Sequence, residues 1–164
     1  MRFLDEMTVS GKRVLIRVDY NVPLKGDVIV DDNRIKQSLP TLNLALDRGA
    51  SLVICSHLGR PKGAPDPAFS LKPVAARLSE LLGRQVVMAP DCIGPQVQAM
   101  AQSLAPGQVL LLENLRFHPG ETKNDPDFSR ELAGLGQVYV NDAFGASHRA
   151  HASVVGVTEF IDDC

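Results

Sequence analysis

Near its start the chain carries the stretch Val14-Leu-Ile-Arg-Val-Asp-Tyr-Asn21, in which an almost continuous apolar run ends in polar residues. A strand with one face in water alternates apolar and polar side chains, whereas a strand covered on both faces is apolar throughout. Residues 14–18 therefore predict a buried strand in a parallel sheet with helices on both faces. The polar residues after the run are expected at the carboxyl edge of that sheet.

Four further runs have the same character and lie at residues 52–55, 86–88, 109–112 and 138–140. The segments between them are amphipathic and end at glycine or proline, which is typical of helices. Helices are expected at residues 34–48, 70–82, 95–104 and 127–133. This alternation predicts an α/β fold, a Rossmann-like three-layer αβα domain with a parallel sheet.

Some segments are less regular. Pro40 lies inside the first predicted helix and is expected to bend or divide it, because proline lacks a backbone N–H. Residues 57–69 and 116–127 contain several prolines and glycines, and we expect them to be long loops of the kind that carries function. The chain ends at Cys164 without a helix cap or a clear final element, and we expect the sequence to be cut there.

Length and composition restrict the class of protein. The chain has 164 residues, enough for one domain with its own core but too few for two comfortable domains. Its 17 basic and 19 acidic residues give a net charge of −2, so no broad basic surface for a nucleic acid is expected. No signal peptide and no run long enough to span a membrane is apparent, which predicts a cytoplasmic protein without a membrane partner.

Cysteines and histidines give no sign of a metal centre. Cys55, Cys92 and Cys164 are odd in number and widely spaced, so we expect reduced thiols rather than disulfides. His148 and His151 have a spacing that suits metal ligation, but no third ligand accompanies them, and no metal is expected. His118 is expected to form hydrogen bonds in a loop.

Polar residues follow the predicted strands where parallel α/β sheets bind ligands. Arg60, Arg116 and Arg149 follow three of the strands, and Arg34 begins the first helix. Arginine binds phosphate and carboxylate through paired N–H groups, so this set predicts a pocket for a small molecule carrying both anions. Further hydrogen-bonding groups are expected from Asp19, Asn21, His57, His148 and His151.

Simpler interpretations exist for single residues. An isolated arginine after a strand is more often solvated or paired with an acid, and Asp19 suits a turn or a partner for Arg17 or Arg34. The sequence has no phosphate loop of the G-x-x-x-x-G-K-[ST] type, and Gly134-Leu-Gly136 precedes a strand instead of following one. No serine or cysteine lies in a nucleophile elbow.

Five motifs together resemble the phosphoglycerate kinase family, and the similarity runs over essentially the whole chain. The motifs are Arg17-Val-Asp-Tyr-Asn-Val-Pro-Leu-Lys25, Asp32-Asn-Arg-Ile35, Ser56-His-Leu-Gly-Arg-Pro61, Glu113-Asn-Leu-Arg-Phe-His118 with Gly120-Glu121 and Lys123-Asn-Asp-Pro126, and Asn141-Asp-Ala-Phe-Gly145 with His148-Arg-Ala-His151. Departures are small, since Tyr20 stands where Phe or Leu is usual and Ala146-Ser147 replaces Thr-Ala.

The resemblance implies a two-domain glycolytic kinase, a phosphotransferase with a carboxyl acceptor. It would transfer phosphate reversibly between 1,3-bisphosphoglycerate and ADP, giving 3-phosphoglycerate and ATP. Residues 1–164 would be its N-terminal, phosphoglycerate-binding domain. Magnesium-bound ADP or ATP would bind a C-terminal domain that this chain lacks, so no cofactor is expected here. The resemblance also implies a monomeric full-length protein whose C-terminal domain is the partner of this one.

The resemblance also implies roles for individual residues. Arg34 would lie near the phosphoryl group in transit and would be catalytic. The substrate-binding set would be Asp19, Asn21, Arg34, His57, Leu58, Gly59, Arg60, Arg116 and Arg149, with no metal ligand among them. We expect the domain alone to bind 3-phosphoglycerate without turnover. A stand-alone sugar-phosphate-binding or regulatory module and a nucleotide-binding α/β domain remain as alternatives.

Overall fold

The computed structural model describes residues 4–143 and 149–164. The strands are β1 (Arg13–Val18), β2 (Leu24–Lys25), β3 (Val28–Ile29), β4 (Ser51–Cys55), β5 (Val86–Met88), β6 (Val109–Leu111) and β7 (Val138–Asp142). The α-helices are α1 (Asn33–Asp47), α2 (Lys72–Leu82), α3 (Pro95–Gln102), α4 (Pro119–Thr122) and α5 (Pro126–Ala133). Short 3-10 helices cover Leu4–Glu6, Pro67–Phe69, Leu115–Phe117 and Gly156–Glu159.

A five-stranded parallel sheet forms the centre of the fold, in the order β5-β6-β4-β1-β7. In its middle strand pairs, Ile16 lies opposite Ile54 on one side and opposite Val140 on the other. All five predicted strands are therefore present, each within two residues of its expected bounds. The two short strands β2 and β3 form a separate antiparallel hairpin.

Helices cover the sheet on both faces, which confirms the predicted three layers. α1 and α2 contribute residues such as Leu42 and Leu78 to one core, which includes Ile16. α3 and α5 contribute to a second core, which includes Leu15. Consecutive side chains of a strand point to opposite faces, so Leu15 and Ile16 are each fully buried in a different core. Burial of such a side chain stabilises the fold by about 1.5–3 kcal/mol.

Three expectations about local structure were wrong. α1 is not divided at Pro40 but continues through it, and Pro40 is exposed, so the backbone carbonyl that lacks its helical N–H donor is on the solvent side. The predicted loop at residues 116–127 instead contains α4, which begins at Pro119, a residue with a fixed φ suited to a first helical turn. The helix expected from residue 70 begins at Lys72, because the Ser70 hydroxyl accepts a hydrogen bond from the Lys72 backbone at 3.2 Å.

The three cysteines are free thiols, as expected; Cys55 and Cys92 are buried and Cys164 is half-buried. Burial raises the pKa of the Cys55 thiol to about 12, so it stays protonated at neutral pH. Among the described residues no helix has the length and apolar character needed to cross a bilayer.

The strand order places the loops after β4 and β6 side by side at a switch in chain direction. From β4 the chain passes through α2 to the edge strand β5, whereas from β6 it passes through α4 and α5 to β7 at the opposite edge. Neighbouring connections that leave in opposite directions open a crevice at the carboxyl ends of the strands. The residues after β1 and β7 border the same edge.

Candidate anion-binding site

A cavity of about 280 Å³ lies at this carboxyl edge. It is lined by Asp19, Asn21, Arg34, His57, Gly59, Arg60, Arg116 and Arg149. These residues follow β1, β4, β6 and β7 or begin α1, so segments far apart in sequence meet at one place. Four of the eight lining residues are arginines, and Asp19 is the one carboxylate among them.

Arg60 and Arg116 face the cavity with few protein partners. Arg60 is exposed and forms no ion pair within the described part of the chain. Arg116 donates from Nη1 to the Gly59 carbonyl at 3.2 Å, while its buried Nε has no hydrogen-bond partner there. Burial and then the neighbouring Arg149 lower the pKa of Arg116, although a guanidinium remains protonated at neutral pH. An anionic ligand would relieve this repulsion and satisfy the unpaired donor.

Arg34 is paired with Asp19, as one of the simpler interpretations proposed. Its Nη1 donates to Asp19 Oδ1 at 3.1 Å and to the Asn21 carbonyl at 2.9 Å. Asn21 in turn accepts a hydrogen bond from the Gly59 N–H through Oδ1 at 2.8 Å. The Arg34 side chain is about half exposed, so its ion pair with Asp19 adds at most about 1 kcal/mol to the free energy of unfolding. These bonds fix the positions of Asp19 and Asn21 beside the cations.

His57 is buried beneath the arginines and is neutral. Burial and the charge of Arg17 lower the pKa of His57 to about 3. Arg17 Nη2 lies 2.8 Å from His57 Nδ1, and a guanidinium can only donate, so Nδ1 accepts. The proton of the neutral ring is therefore on Nε2, which leaves His57 with a donor for a ligand oxygen.

Arg17 belongs to a buried network that sequence reasoning did not assign to the site. Its side chain is fully buried and donates from Nε to Ser153 Oγ at 2.9 Å. The Ser153 hydroxyl donates to Glu121 Oε2 at 2.6 Å, and its N–H donates to Glu121 Oε1 at 2.7 Å. The serine thus links a buried cation to a buried carboxylate. A charged residue inside an apolar strand is the sequence signal that points to such a network.

Asn114 holds together the two arginine-bearing loops. Its fully buried amide donates to the carbonyls of Leu58 and Phe69 at 2.7 and 3.0 Å. Its Oδ1 accepts from the N–H groups of Leu58 and Arg116 at 3.2 and 3.0 Å. The loop also requires a glycine at residue 59, where φ is +60° and a Cβ would lie 2.6 Å from the Phe69 ring.

The structure brings together all residues of the expected substrate-binding set except Leu58. The Leu58 side chain is buried in the core under α1 and α2 and does not line the cavity. His118 forms a loop hydrogen bond to Asp91, as expected. His151 does not line the cavity. His148 and the pair Ala146-Ser147, which differs from the usual family motif, lie outside the described residues. Tyr20, the other residue that differs from the family motif, forms a hydrogen bond between its hydroxyl and Ser38 Oγ at 2.7 Å.

The arrangement suits anion binding rather than nucleophilic chemistry. Guanidinium groups and the His57 Nε2–H offer donors, and Asp19 offers acceptors for a hydroxyl. Among the residues that the structure describes, the cavity lining contains no serine, cysteine or lysine that would act as a nucleophile. A small ligand with two separated anionic groups and a hydroxyl matches this set of donors and acceptors.

Comparisons with known proteins agree with the motifs in the sequence. A family model described as phosphoglycerate kinase matches residues 4–164. A phosphoglycerate kinase of Chlorobium luteolum is 60% identical over 159 residues, covering 96% of this chain and 40% of the relative. One of Maridesulfovibrio salexigens is 53% identical over 168 residues, covering 100% of this chain and 42% of the relative. The chain thus spans about two fifths of the length of these relatives.

Solved structures give the same result. Phosphoglycerate kinase from Coxiella burnetii is similar with a TM-score of 0.86 and 38% identity, over 96% of this chain and 39% of that one. The enzyme from Pyrococcus horikoshii OT3 is similar with a TM-score of 0.88 and 33% identity, over 98% of this chain and 41% of that one. Since the family model matches nearly the whole chain, the chain belongs to the phosphoglycerate kinase family.

Proposed function

We propose that the arginine-lined cavity binds 3-phosphoglycerate and 1,3-bisphosphoglycerate in a phosphoglycerate kinase acting in cytoplasmic glycolysis. The observation that carries this proposal is the meeting of four arginines, three from separate loops and one from the start of α1, in one cavity whose described lining contains one carboxylate. A ligand with a phosphate at one end and a carboxylate or acyl phosphate at the other would engage them in pairs. Membership of the family adds support.

Each lining residue receives a role in this proposal. Arg60, Arg116 and Arg149 hold the anionic groups, while Asp19 and Asn21 orient the hydroxyl through acceptors that the Arg34 and Gly59 contacts keep in place. The neutral His57 donates from Nε2. Gly59 allows the loop to approach the ligand, and Leu58 supports that loop from the core.

The chemistry needs positioning and charge more than proton transfer. The carboxylate that accepts phosphate has a reference pKa near 4 and is ionised at neutral pH, so no general base is needed. Negative charge spreads over the transferring group in a loose transition state, and preorganised cations stabilise it. Arg34 is the proposed catalytic group because it lies at the start of α1 beside Asp19, at the border of the cavity.

We further propose that magnesium-bound ADP or ATP binds a C-terminal domain in the part of the protein that this chain does not span. That nucleotide would accept the phosphoryl group as ADP or donate it as ATP, and closure of the two domains would exclude water from the acyl phosphate. The absence of a glycine-rich phosphate loop from this sequence supports the division. The chain alone therefore binds its substrate without turnover.

Calorimetric titration of this chain with 3-phosphoglycerate tests the binding proposal. We expect saturable binding that weakens with salt, and weaker binding of glycerol 3-phosphate and of glycerate, each of which lacks one anionic group. Arg60→Gln and Arg116→Gln should lower the affinity roughly tenfold to a hundredfold each, since each removes a charged hydrogen bond. The control Arg84→Gln, at the opposite edge of the sheet beside Gly107, should leave the affinity unchanged.

Two results would contradict the proposal. One is equal affinity for the three ligands, which would mean that the cavity does not recognise paired anions. The other is phosphoryl transfer from ATP to 3-phosphoglycerate by this chain alone, in a preparation free of other kinases.

A further inference from the structure

A second cluster of ligating side chains lies away from the arginine cavity, at Asp91, Cys92 and His118. These residues offer one oxygen, one sulfur and one nitrogen, and the three atoms lie within 4.8 Å of one another. Asp91 and Cys92 follow β5, and His118 follows the 3-10 turn after β6. Because β5 and β6 are paired neighbours, the sheet brings together residues that are far apart in sequence.

The present hydrogen bonds of this cluster all converge on the Asp91 carboxylate. His118 Nε2 donates to Asp91 Oδ1 at 2.7 Å, and the Cys92 backbone N–H donates to the same oxygen at 2.6 Å. The Cys92 side chain is also hydrogen-bonded to Asp91. Two side-chain hydrogens, one on nitrogen and one on sulfur, thus occupy the space between three potential ligand atoms.

We propose that Asp91, Cys92 and His118 form a site for a borderline-soft divalent metal ion of the zinc class. Donor atoms bound to one zinc ion at about 2.0–2.3 Å lie no more than about 4.6 Å apart, so the cluster needs only a small adjustment. Sulfur and imidazole ligands favour Zn²⁺ or Co²⁺ over Mg²⁺ and Ca²⁺, which prefer oxygen.

Binding exchanges protons for the metal. The Cys92 thiol loses its proton to solvent and forms the metal–sulfur bond. The His118 ring proton moves from Nε2 to Nδ1 through solvent, which frees the Nε2 lone pair for the metal. The thiolate, the carboxylate and the divalent ion sum to zero charge, which suits a site where Cys92 is fully buried.

The surroundings allow entry of the ion and a fourth ligand. The side chains of Asp91 and His118 are 44% and 30% exposed, and Asp91 borders a cavity of about 600 Å³. The same cavity is lined by the carboxylates of Asp66 and Glu113, which favour cations. The His118 ring packs against Phe128 with centroids 5.5 Å apart, which holds the imidazole in place.

Cobalt titration of the metal-free chain tests this proposal directly. Co²⁺ should bind in a one-to-one ratio and give a thiolate-to-metal absorption band in the near ultraviolet, with visible bands typical of four-coordination. Zn²⁺ should displace the cobalt and abolish both signals. His118→Gln, which changes a partly exposed residue, and Cys92→Ala should each weaken binding at least about tenfold.

Controls separate loss of ligands from loss of the fold. Cys164→Ser removes a half-buried thiol outside the cluster and should leave the cobalt spectrum unchanged. Circular dichroism should show native helix content for His118→Gln, so this variant tests the proposal even if Cys92→Ala unfolds. An absent thiolate band at millimolar cobalt, or one that His118→Gln leaves unchanged, would overturn the proposal. Neither result would bear on the arginine cavity.

Discussion

Arg34 differs from the other cavity arginines because it already holds a carboxylate. Its contacts with Asp19 and Asn21 all use Nη1, so within the described residues Nη2 and Nε have no partner. In the proposed function, this remaining edge of the guanidinium would bind a ligand oxygen whose charge grows during phosphoryl transfer. A lysine would keep the pair with Asp19 but would not supply this second set of donors.

We therefore expect Arg34→Lys, made in the full-length protein, to lower kcat about tenfold or more while changing KM much less. Steady-state kinetics with varied 3-phosphoglycerate measure both constants. Arg84→Lys serves as the matched control and should change neither. A rise in KM with unchanged kcat would show that Arg34 only binds the substrate.

The low pKa of His57 predicts a specific loss of stability in acid. In the unfolded chain this group has an ordinary pKa of 6.5, whereas burial and Arg17 lower it to about 3 in the folded protein. Between these values the unfolded state binds a proton that the folded state does not. The free energy of unfolding should therefore fall as the pH drops below 6.5, by up to about 1.4 kcal/mol per pH unit.

Urea unfolding between about pH 7 and pH 4, the range in which His57 contributes to the pH dependence, measures this fall in the free energy of unfolding. His57→Gln, which does not titrate, should show a shallower decline than the wild-type chain. If the free energy of unfolding declines in parallel in the two proteins, His57 takes up a proton in the folded state as readily as in the unfolded state. That result would contradict the assignment of His57 as a neutral ring that donates from Nε2.

At the scale of elements, the loop after β4 depends on the close approach of Gly59 to Phe69. Gly59 and Gly83 have similar positive φ angles, +60° and +67°, but only at Gly59 would a Cβ meet a neighbour, at 2.6 Å. Gly83→Ala should lower the free energy of unfolding by about 1 kcal/mol, because alanine is strained at a positive φ. Gly59→Ala should cost about 1–3 kcal/mol more, because the Phe69 ring must move.

Chemical denaturation of the two variants measures this difference. Gly59→Ala should also weaken 3-phosphoglycerate binding, since the loop carries His57 and Arg60, while Gly83→Ala should not. Equal stability of the two variants would show that the ring moves at no cost and that the loop is not held rigid by this contact.

Strands that are apolar on both faces can be predicted from the sequence, whereas the short elements cannot. The five strands of the main sheet are identified by nearly continuous apolar runs such as residues 52–55. The β2–β3 hairpin has two residues in each strand, and exposed residues such as Lys25 and Val28 hide its pattern. α4 is a single turn stabilised by tertiary contacts of Glu121, which sequence periodicity does not reveal.

Parts of the candidate site could likewise be predicted from the sequence, and parts could not. Strand-end position was enough to predict the meeting of Arg60, Arg116 and Arg149, because parallel strands end at one edge. Contacts that depend on packing were not predictable, such as the Ser153 link between Arg17 and Glu121. The zinc-class cluster was missed because Asp91 and His118 come together only through strand pairing.

At the scale of the molecule, buried polar bonds join the distant parts of the chain beneath the cavity. Arg17 on β1, Glu121 on α4 and Ser153 near the end of the chain form one network. The Tyr139 hydroxyl donates to the Ser153 carbonyl at 2.6 Å, which adds β7. The network reaches the cavity through Arg17, whose Nη2 lies 2.8 Å from Nδ1 of the lining residue His57. The position of His57 is therefore held by several distant segments, and such rigidity lowers the cost of ordering on binding.

Whether the arginine-lined cavity binds 3-phosphoglycerate can be measured from the amide chemical shifts of the isotope-labelled chain as the ligand is added. We expect saturable shifts concentrated at residues 19–21, 34, 57–60, 116 and 149, which diminish as salt is added. Shifts centred instead on the larger cavity around Asp66 and Phe117, or none at millimolar ligand, would contradict binding at the arginine-lined cavity.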